Sequence, residues 1–175
     1  MHLIELASLP FVAMDVHEID LAIGNALHSY CRGIDRLDAA LVGAAFHPGA
    51  LLIDYGPEPL RIEVFVEHAL ESLEKKFAAT QHRVSNVTIK IDAAASSALV
   101  ESYVLAFHVQ DDAGIQRLHT FNGRYIDRFE ERDGAWRIAQ RTLRNDWSRV
   151  ETIEATMTGS WVRSGRAGSP DPFDR

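Results

Sequence analysis

Between residues 18 and 43 the apolar positions Ile23, Leu27, Tyr30, Ile34, Leu37 and Leu41 recur at alternating intervals of four and three, so the spacing predicts one amphipathic helix with a single buried stripe. Asp35 falls one position off that stripe, at the edge of the buried face, where a carboxylate can look into a cavity. Phe46-His47-Pro48-Gly49 breaks the pattern, and Leu51, Ile53 and Tyr55 then alternate with Leu52 and Asp54 as a short strand ending at Gly56-Pro57. Beyond Pro59, the stripe Ile62, Phe65, Val66, Ala69, Leu70, Leu73 and Phe77 predicts a second helix reaching about Phe77.

In the second half the period changes from helical to alternating. Residues 83–92, 98–110, 115–132 and 135 to about 147 read as long strands, separated by Ala93-Ala94-Ala95-Ser96, Asp111-Asp112-Ala113-Gly114 and Asp133-Gly134. Helices followed by a meander predict an α+β domain, a curved sheet wrapped around the helices with a cavity at its wide end. In the strand 98–110, Ala98, Val100, Ser102, Val104, Ala106 and His108 share one face, and Leu99, Glu101, Tyr103, Leu105, Phe107 and Val109 share the other. Apolar residues on both faces call for helices on one side and a second subunit on the other, so a homo-oligomer is expected. Strict alternation in the last strand places Arg141 opposite Trp136 and Ile138; a β-bulge, or oligomer contacts over Trp136, would reconcile them.

The chain has 175 residues, 46% hydrophobic and 25% charged, which suits one domain over residues 1–150 followed by an extension, 151–175, rich in Gly, Ser, Pro and Arg towards its end and at least partly irregular. A formal net charge of -7 argues against nucleic acid or an anionic membrane as partner, leaving a small molecule or another protein. Cys31 is the only cysteine, so neither an intrachain disulfide nor a Cys-rich metal site can form, and a reducing cytoplasm fits. The first sixteen residues carry Glu5 and Asp15 and no basic stretch, and no apolar run approaches the roughly 20 residues of a membrane span. No glycine-rich loop opens a helix after a strand, and His17, His28 and His47 fall in different local settings, so neither a nucleotide cofactor nor a metal is expected.

The order and spacing of Tyr30-Cys-Arg-Gly-Ile-Asp35-Arg-Leu-Asp38, Phe46-His-Pro-Gly-Ala50, Asp54-Tyr-Gly56, His82-Arg-Val-Ser-Asn86 and Gly123-Arg-Tyr-Ile-Asp127, followed by Asp133-Gly-Ala-Trp136-Arg-Ile138, Arg141 and Asp146-Trp147, resemble the SnoaL-like branch of the nuclear transport factor 2-like (cystatin-like) superfamily over residues 15 to 150. The resemblance implies a cone-shaped α+β barrel, N-terminal helices packed in a strongly curved sheet, often trimeric, with a pocket between helices and sheet. Scytalone dehydratase, bile-acid 7α-dehydratase and hexachlorocyclohexane dehydrochlorinase are the similar functional types. Their Asp-His dyad falls on Asp35 and His82, and the arginine of the bile-acid and dehydrochlorinase enzymes falls on Arg141. Where the dehydrochlorinase carries a lysine, this chain has Tyr30, as the two dehydratase types do, which favours loss of water over loss of halide.

The expected chemistry is that of a cofactor-independent lyase acting on a cyclic, mostly apolar substrate. Asp35 would hold the His82 ring in one tautomer and stabilise its charged form, and His82 would take the proton. Arg141 would stabilise an enolate or leaving oxygen, or else pair structurally with Asp127 or Asp146. Tyr30 would protonate a leaving hydroxyl or bind a carbonyl, or simply belong to the core. Tyr55, Asn86, Val100, His108, Phe121 and Tyr125 are candidates for substrate contact; Asn86 first of all suits satisfying backbone groups near His82, His108 is otherwise a packed histidine, and the pair Phe121 and Tyr125 alternatively packs as core. Two other readings stand beside the lyase: an isomerase or cyclase using the same base, and a ligand-binding or oxygenase-accessory subunit without chemistry of its own.

Overall fold

In the computed structural model, which describes residues 15–153 except 93 and 95, the first apolar stripe folds as two helices rather than one. Helix α1 (Val16–Arg36) ends where Leu37 enters the left-handed region at φ 56°, with its N–H directed to the carbonyls of Gly33 and Ile34. Asp38 then caps α2 (Ala39–Ala44), its Oδ1 accepting from the N–H groups of Ala40 and Leu41 at 2.9 and 3.0 Å. Local capping therefore overrides a continuous hydrophobic period. The tight reversal depends on Gly33: a Cβ there would lie 2.7 Å from both Cγ2 and N of Val42.

The strand elements are β1 (Phe46–Ile53), β2 (Leu60–Arg61), β3 (Ala79–Asp92), β4 (Ser97–Asp112), β5 (Ile115–Arg132) and β6 (Ala135–Thr152), with α3 (Ile62–Lys76) between β2 and β3. They form one sheet in the order β2-β1-β6-β5-β4-β3. The β3-to-β6 meander is antiparallel, and β1 returns to pair in parallel with β6, which makes the sheet mixed. The fold is thus α+β and cone-like as expected, but the sheet is open, with β2 and β3 at its two edges, rather than a closed barrel. The Pro48-Gly49 segment, expected as a break, lies inside β1. Gly49 adopts φ 77° and the β1–β6 register shifts between Phe46 and Leu51, so the dipeptide is absorbed as an irregularity of the strand. β3, β4 and β6 run longer than the alternation alone predicts, whereas β5 has the expected bounds; β6 extends to Thr152, beyond the expected domain limit at 150. The rest of the extension and the first fourteen residues lie outside the described residues.

The awkward last strand is resolved by a bulge. Arg128 pairs with Gln140 and Phe129 with Ile138, so Ala139 has no partner in register and the alternation flips there. Trp136, Ile138 and Arg141 consequently all face inward, at 7%, 0% and 0% exposure. The core joins Ile23 and Leu27 of α1, Phe46 and Leu52 of β1, Val100 of β4 and Phe129 of β5. Of the α3 stripe only Ile62 is fully buried, because Phe65, Ala69 and Leu73 overlie a cavity rather than solid core. On the outer face Leu99, Tyr103 and Trp147 are exposed. No described helix is long and apolar enough to cross a membrane.

Two glycine substitutions in α1 separate crowding from propensity. Gly33→Ala is expected to destabilise by about 1–3 kcal/mol through overpacking against α2. Gly24, whose added Cβ would meet nothing within 4 Å, should gain up to about 1 kcal/mol as alanine. Calorimetric melting of both variants checks this, with roughly 2–4 °C expected per kcal/mol at this chain length.

Candidate active site

Asp35 sits in the last turn of α1, facing the first half of β3. Its carboxylate receives three hydrogen bonds from that edge strand. The His82 backbone N–H donates to Oδ2 at 2.8 Å, the Thr80 hydroxyl to Oδ1 at 3.1 Å, and the His82 ring nitrogen Nδ1 to Oδ1 at 2.7 Å. A carboxylate only accepts, so Nδ1 carries the proton and Nε2 is left with its lone pair. Both side chains are largely withdrawn from solvent, at 9% exposure for His82 and 19% for Asp35. The sequence reading brought Asp35 and His82 together but missed Thr80. Its position two before His82 on the same strand face was the available signal.

The His82 ring lines an apolar cavity of about 320 Å³ between α3 and the sheet. Tyr30 and Ile34 of α1, Tyr55 beyond β1, His108 and Ala106 of β4, Phe121 and Tyr125 of β5, and Leu143 of β6 complete its walls, and Phe65, Ala69, Ser72 and Leu73 of α3 its roof. His108 meets the His82 ring edge-on at 5.1 Å between centroids. Tyr30, Tyr55, His108, Phe121 and Tyr125, all candidates in the sequence analysis, thus line one cavity. The α3 lining was not anticipated as part of the site, although that helix's stripe was visible.

Three of the candidate residues lie outside the cavity lining. Arg141 does not open into the cavity. It is fully buried, and its Nε and Nη2 donate to the Asp127 carboxylate at 2.8 and 2.7 Å, the structural alternative of the sequence reading. Its guanidinium lies 4.3 Å from the ring centroid of Tyr30 and 3.9 Å from that of Tyr125. Val100 is buried in the core at 0% exposure instead of lining the cavity, because the solid end of the cone lies beneath that part of β4. Asn86 is exposed, at φ 49° in the irregularity where the β3–β4 register shifts between Ser85 and Thr88; its role is to supply a left-handed backbone position.

Electrostatically, the far wall is a tyrosine cluster backed by a cation. Burial pushes the hydroxyls of Tyr30, Tyr55 and Tyr125 up from their ordinary values, and the Arg141 charge opposes it at each. The Tyr55 hydroxyl is buried beside that of Tyr30, and the two interact. The Cys31 thiol, on the same helix, is pushed up to about 11, first by burial, with Arg141 again opposing. Among the described residues no group of three or more His, Cys, Asp or Glu side chains could hold a metal ion.

Residues 16–142 match the family model of the SnoaL-like domain. The chain belongs to the SnoaL-like family. Similar solved structures include a candidate scytalone dehydratase from Novosphingobium aromaticivorans, 21% identical, covering 89% of this chain and 100% of that one at a TM-score of 0.64. A type 2 hexachlorocyclohexane dehydrochlorinase is 13% identical, covering 83% and 97% at 0.68. A candidate aromatic ring hydroxylase from N. aromaticivorans is 19% identical, covering 80% and 96% at 0.67. At these identities the likeness is one of fold. No curated protein matches the chain.

The buried pair and the buried thiol give two expectations. Asp127→Ala leaves the Arg141 charge uncompensated in the core and should cost about 3–5 kcal/mol in urea denaturation. Cys31, buried and with its pKa near 11, should resist a disulfide thiol reagent at pH about 8 and react fully once the chain is unfolded.

Proposed function

We propose that this SnoaL-like protein is a cofactor-independent lyase of the dehydratase type, acting on a small cyclic, mostly apolar substrate, with His82 as the base. The observation that carries this reading is the 2.7 Å contact of His82 Nδ1 with Asp35 at the wall of an apolar cavity. A histidine on an apolar wall can be plain packing. A histidine whose one nitrogen is fixed by a carboxylate, itself fixed by two further donors, has its other nitrogen prepared to accept. Asp35 orients the ring and stabilises its charged form after proton transfer, without taking the proton itself.

Across the cavity Tyr30 and Tyr55 bring hydroxyls that can donate to a carbonyl or to a departing hydroxyl. In this mechanism His82 removes a proton next to an activating carbonyl, the charge moves onto the carbonyl oxygen, and the β-hydroxyl leaves as water with a tyrosine proton. His108, Phe121 and Tyr125 shape the space for the ring. The similar scytalone dehydratase candidate and dehydrochlorinase, both eliminating enzymes by name, support the same reaction class. The exposed Leu99, Tyr103 and Trp147 on the outer sheet face support assembly with further copies of the chain.

The test is a panel of cyclic β-hydroxy ketones and hydroxysteroids assayed with wild type, His82→Ala, Asp35→Asn and Tyr30→Phe. Loss of the base is expected to lower kcat/KM by about 10²–10⁴-fold, and Asp35→Asn should fall in the same range. Tyr30→Phe, which keeps the ring and removes the proton donor, should fall by about 10²–10³-fold. Equal turnover by wild type and His82→Ala would exclude His82 as the base. A product isomeric with the substrate, with no water lost, would replace the lyase reading with an isomerase.

A further inference from the structure

The residue that the structure removes from the cavity still governs it. Arg141 is 0% exposed, its Nε and Nη2 are taken by Asp127, and Nη1 is buried without a hydrogen-bond partner among the described residues. An ion pair so completely desolvated is a poor source of stability, since apolar residues of similar volume commonly do as well or better. Its placement is specific instead. The guanidinium carbon lies 4.3 Å from the Tyr30 centroid and 3.9 Å from the Tyr125 centroid, both rings that line the cavity, while the carboxylate of Asp127 takes the Nε and Nη2 edge of the fork. The pair is neutral overall, yet its cationic member is the one in contact with the tyrosine rings.

We propose that Arg141 is a positioning residue that acts on substrate only through the Tyr30 and Tyr125 rings, setting how much negative charge the Tyr30 hydroxyl can bear, with Asp127 setting the strength of that field. The proposal rests on the reading of the cavity as an active site, but the electrostatic coupling exists whatever the reaction. The titratable groups that face Tyr30 are Arg141 from β6, Tyr125 from β5, Tyr55 from the turn after β1, and Cys31 on its own helix. Arg141 is the only cation among them. The aromatic stacking explains why its charge is not spent on Asp127 alone: the electron-rich face of each ring takes up part of the cation's field. A phenol that develops charge as it donates is then stabilised without any reorganisation of solvent.

The test replaces Tyr30 with 3-chlorotyrosine, whose ring halogen lowers the phenol's ordinary pKa into an accessible range, and reads the phenolate absorbance against pH in the full chain. Asp127→Asn keeps the cation and removes its counter-charge, so the midpoint should fall. The neutral pair Asp127→Asn with Arg141→Gln removes the cation together with its more distant counter-charge and should raise it by about 1 pH unit, the difference between two opposite charges at unequal distances at intermediate dielectric. A merely structural pair would move both variants in the same direction or neither. If Asp127→Asn does not fold, the neutral pair, which leaves no unpaired charge, decides alone: an unchanged midpoint in a variant with native circular dichroism overturns the proposal. Opposite shifts together with turnover unaffected by His82→Ala would keep the coupling and sink the lyase reading.

Discussion

The bidentate pair between Arg141 and Asp127 is the constraint around which the rest of this domain is arranged. Two full charges in the interior of a cone are tolerable only if they meet in good geometry, and here they are cross-strand partners on β5 and β6. That requirement fixes the register of the two long strands and demands the bulge at Ala139, without which Arg141 would point outward. It also dictates what may surround the guanidinium. Tyr30, Phe46 and Tyr125 offer it ring faces, because no further acceptor is at hand. Two of those rings are at once the floor of the cavity and the shield of the charge.

The second organising contact ties α1 to the edge of the sheet. β3 has only one strand neighbour, and the end of α1 closes against it through the Asp35 carboxylate, which takes a backbone N–H, a hydroxyl and a ring N–H from two alternate residues. One side chain thus both fastens a helix to an edge strand and fixes a tautomer. The cavity beside it stays open because α3 is laid over it with a half-buried stripe rather than packed into it. The site therefore combines a rigid base on one wall with buried hydroxyls on the other, separated by apolar space of small-molecule size.

Much of this was legible in the order of residues. The helix period of residues 18–43, the alternation of the four long strands and the both-sided apolarity of β4 depend on spacings of 3.6 and 2, which are properties of the chain alone. So too was the conflict in the last strand, where strict alternation set Arg141 against Trp136. The sequence posed that question and named a bulge as one answer, but whether Ala139 steps out of register depends on what Phe129 and Arg128 pair with across the sheet. The stop at Leu37 was hidden because a non-glycine residue took the left-handed cap, and Gly33 showed its purpose only once Val42 was seen against it.

Which residues carry chemistry was determined less evenly. The residue types and the family resemblance named the dyad of Asp35 and His82, while Tyr30 followed from the apolar stripe of the first helix, and Tyr55 and Tyr125 from their places on strands. Whether a polar side chain meets solvent, substrate or a buried counter-charge depends on neighbours distant in sequence, and here that decided against three candidates. Arg141 became a charge behind the wall because Asp127 lies opposite it; Val100 became core because the cone is solid there; Asn86 became a left-handed position in an irregularity of the edge strand. Local spacing determined the elements and the cast of groups, and tertiary packing decided which of them share one cavity, because burial and pairing are properties of the assembled sheet.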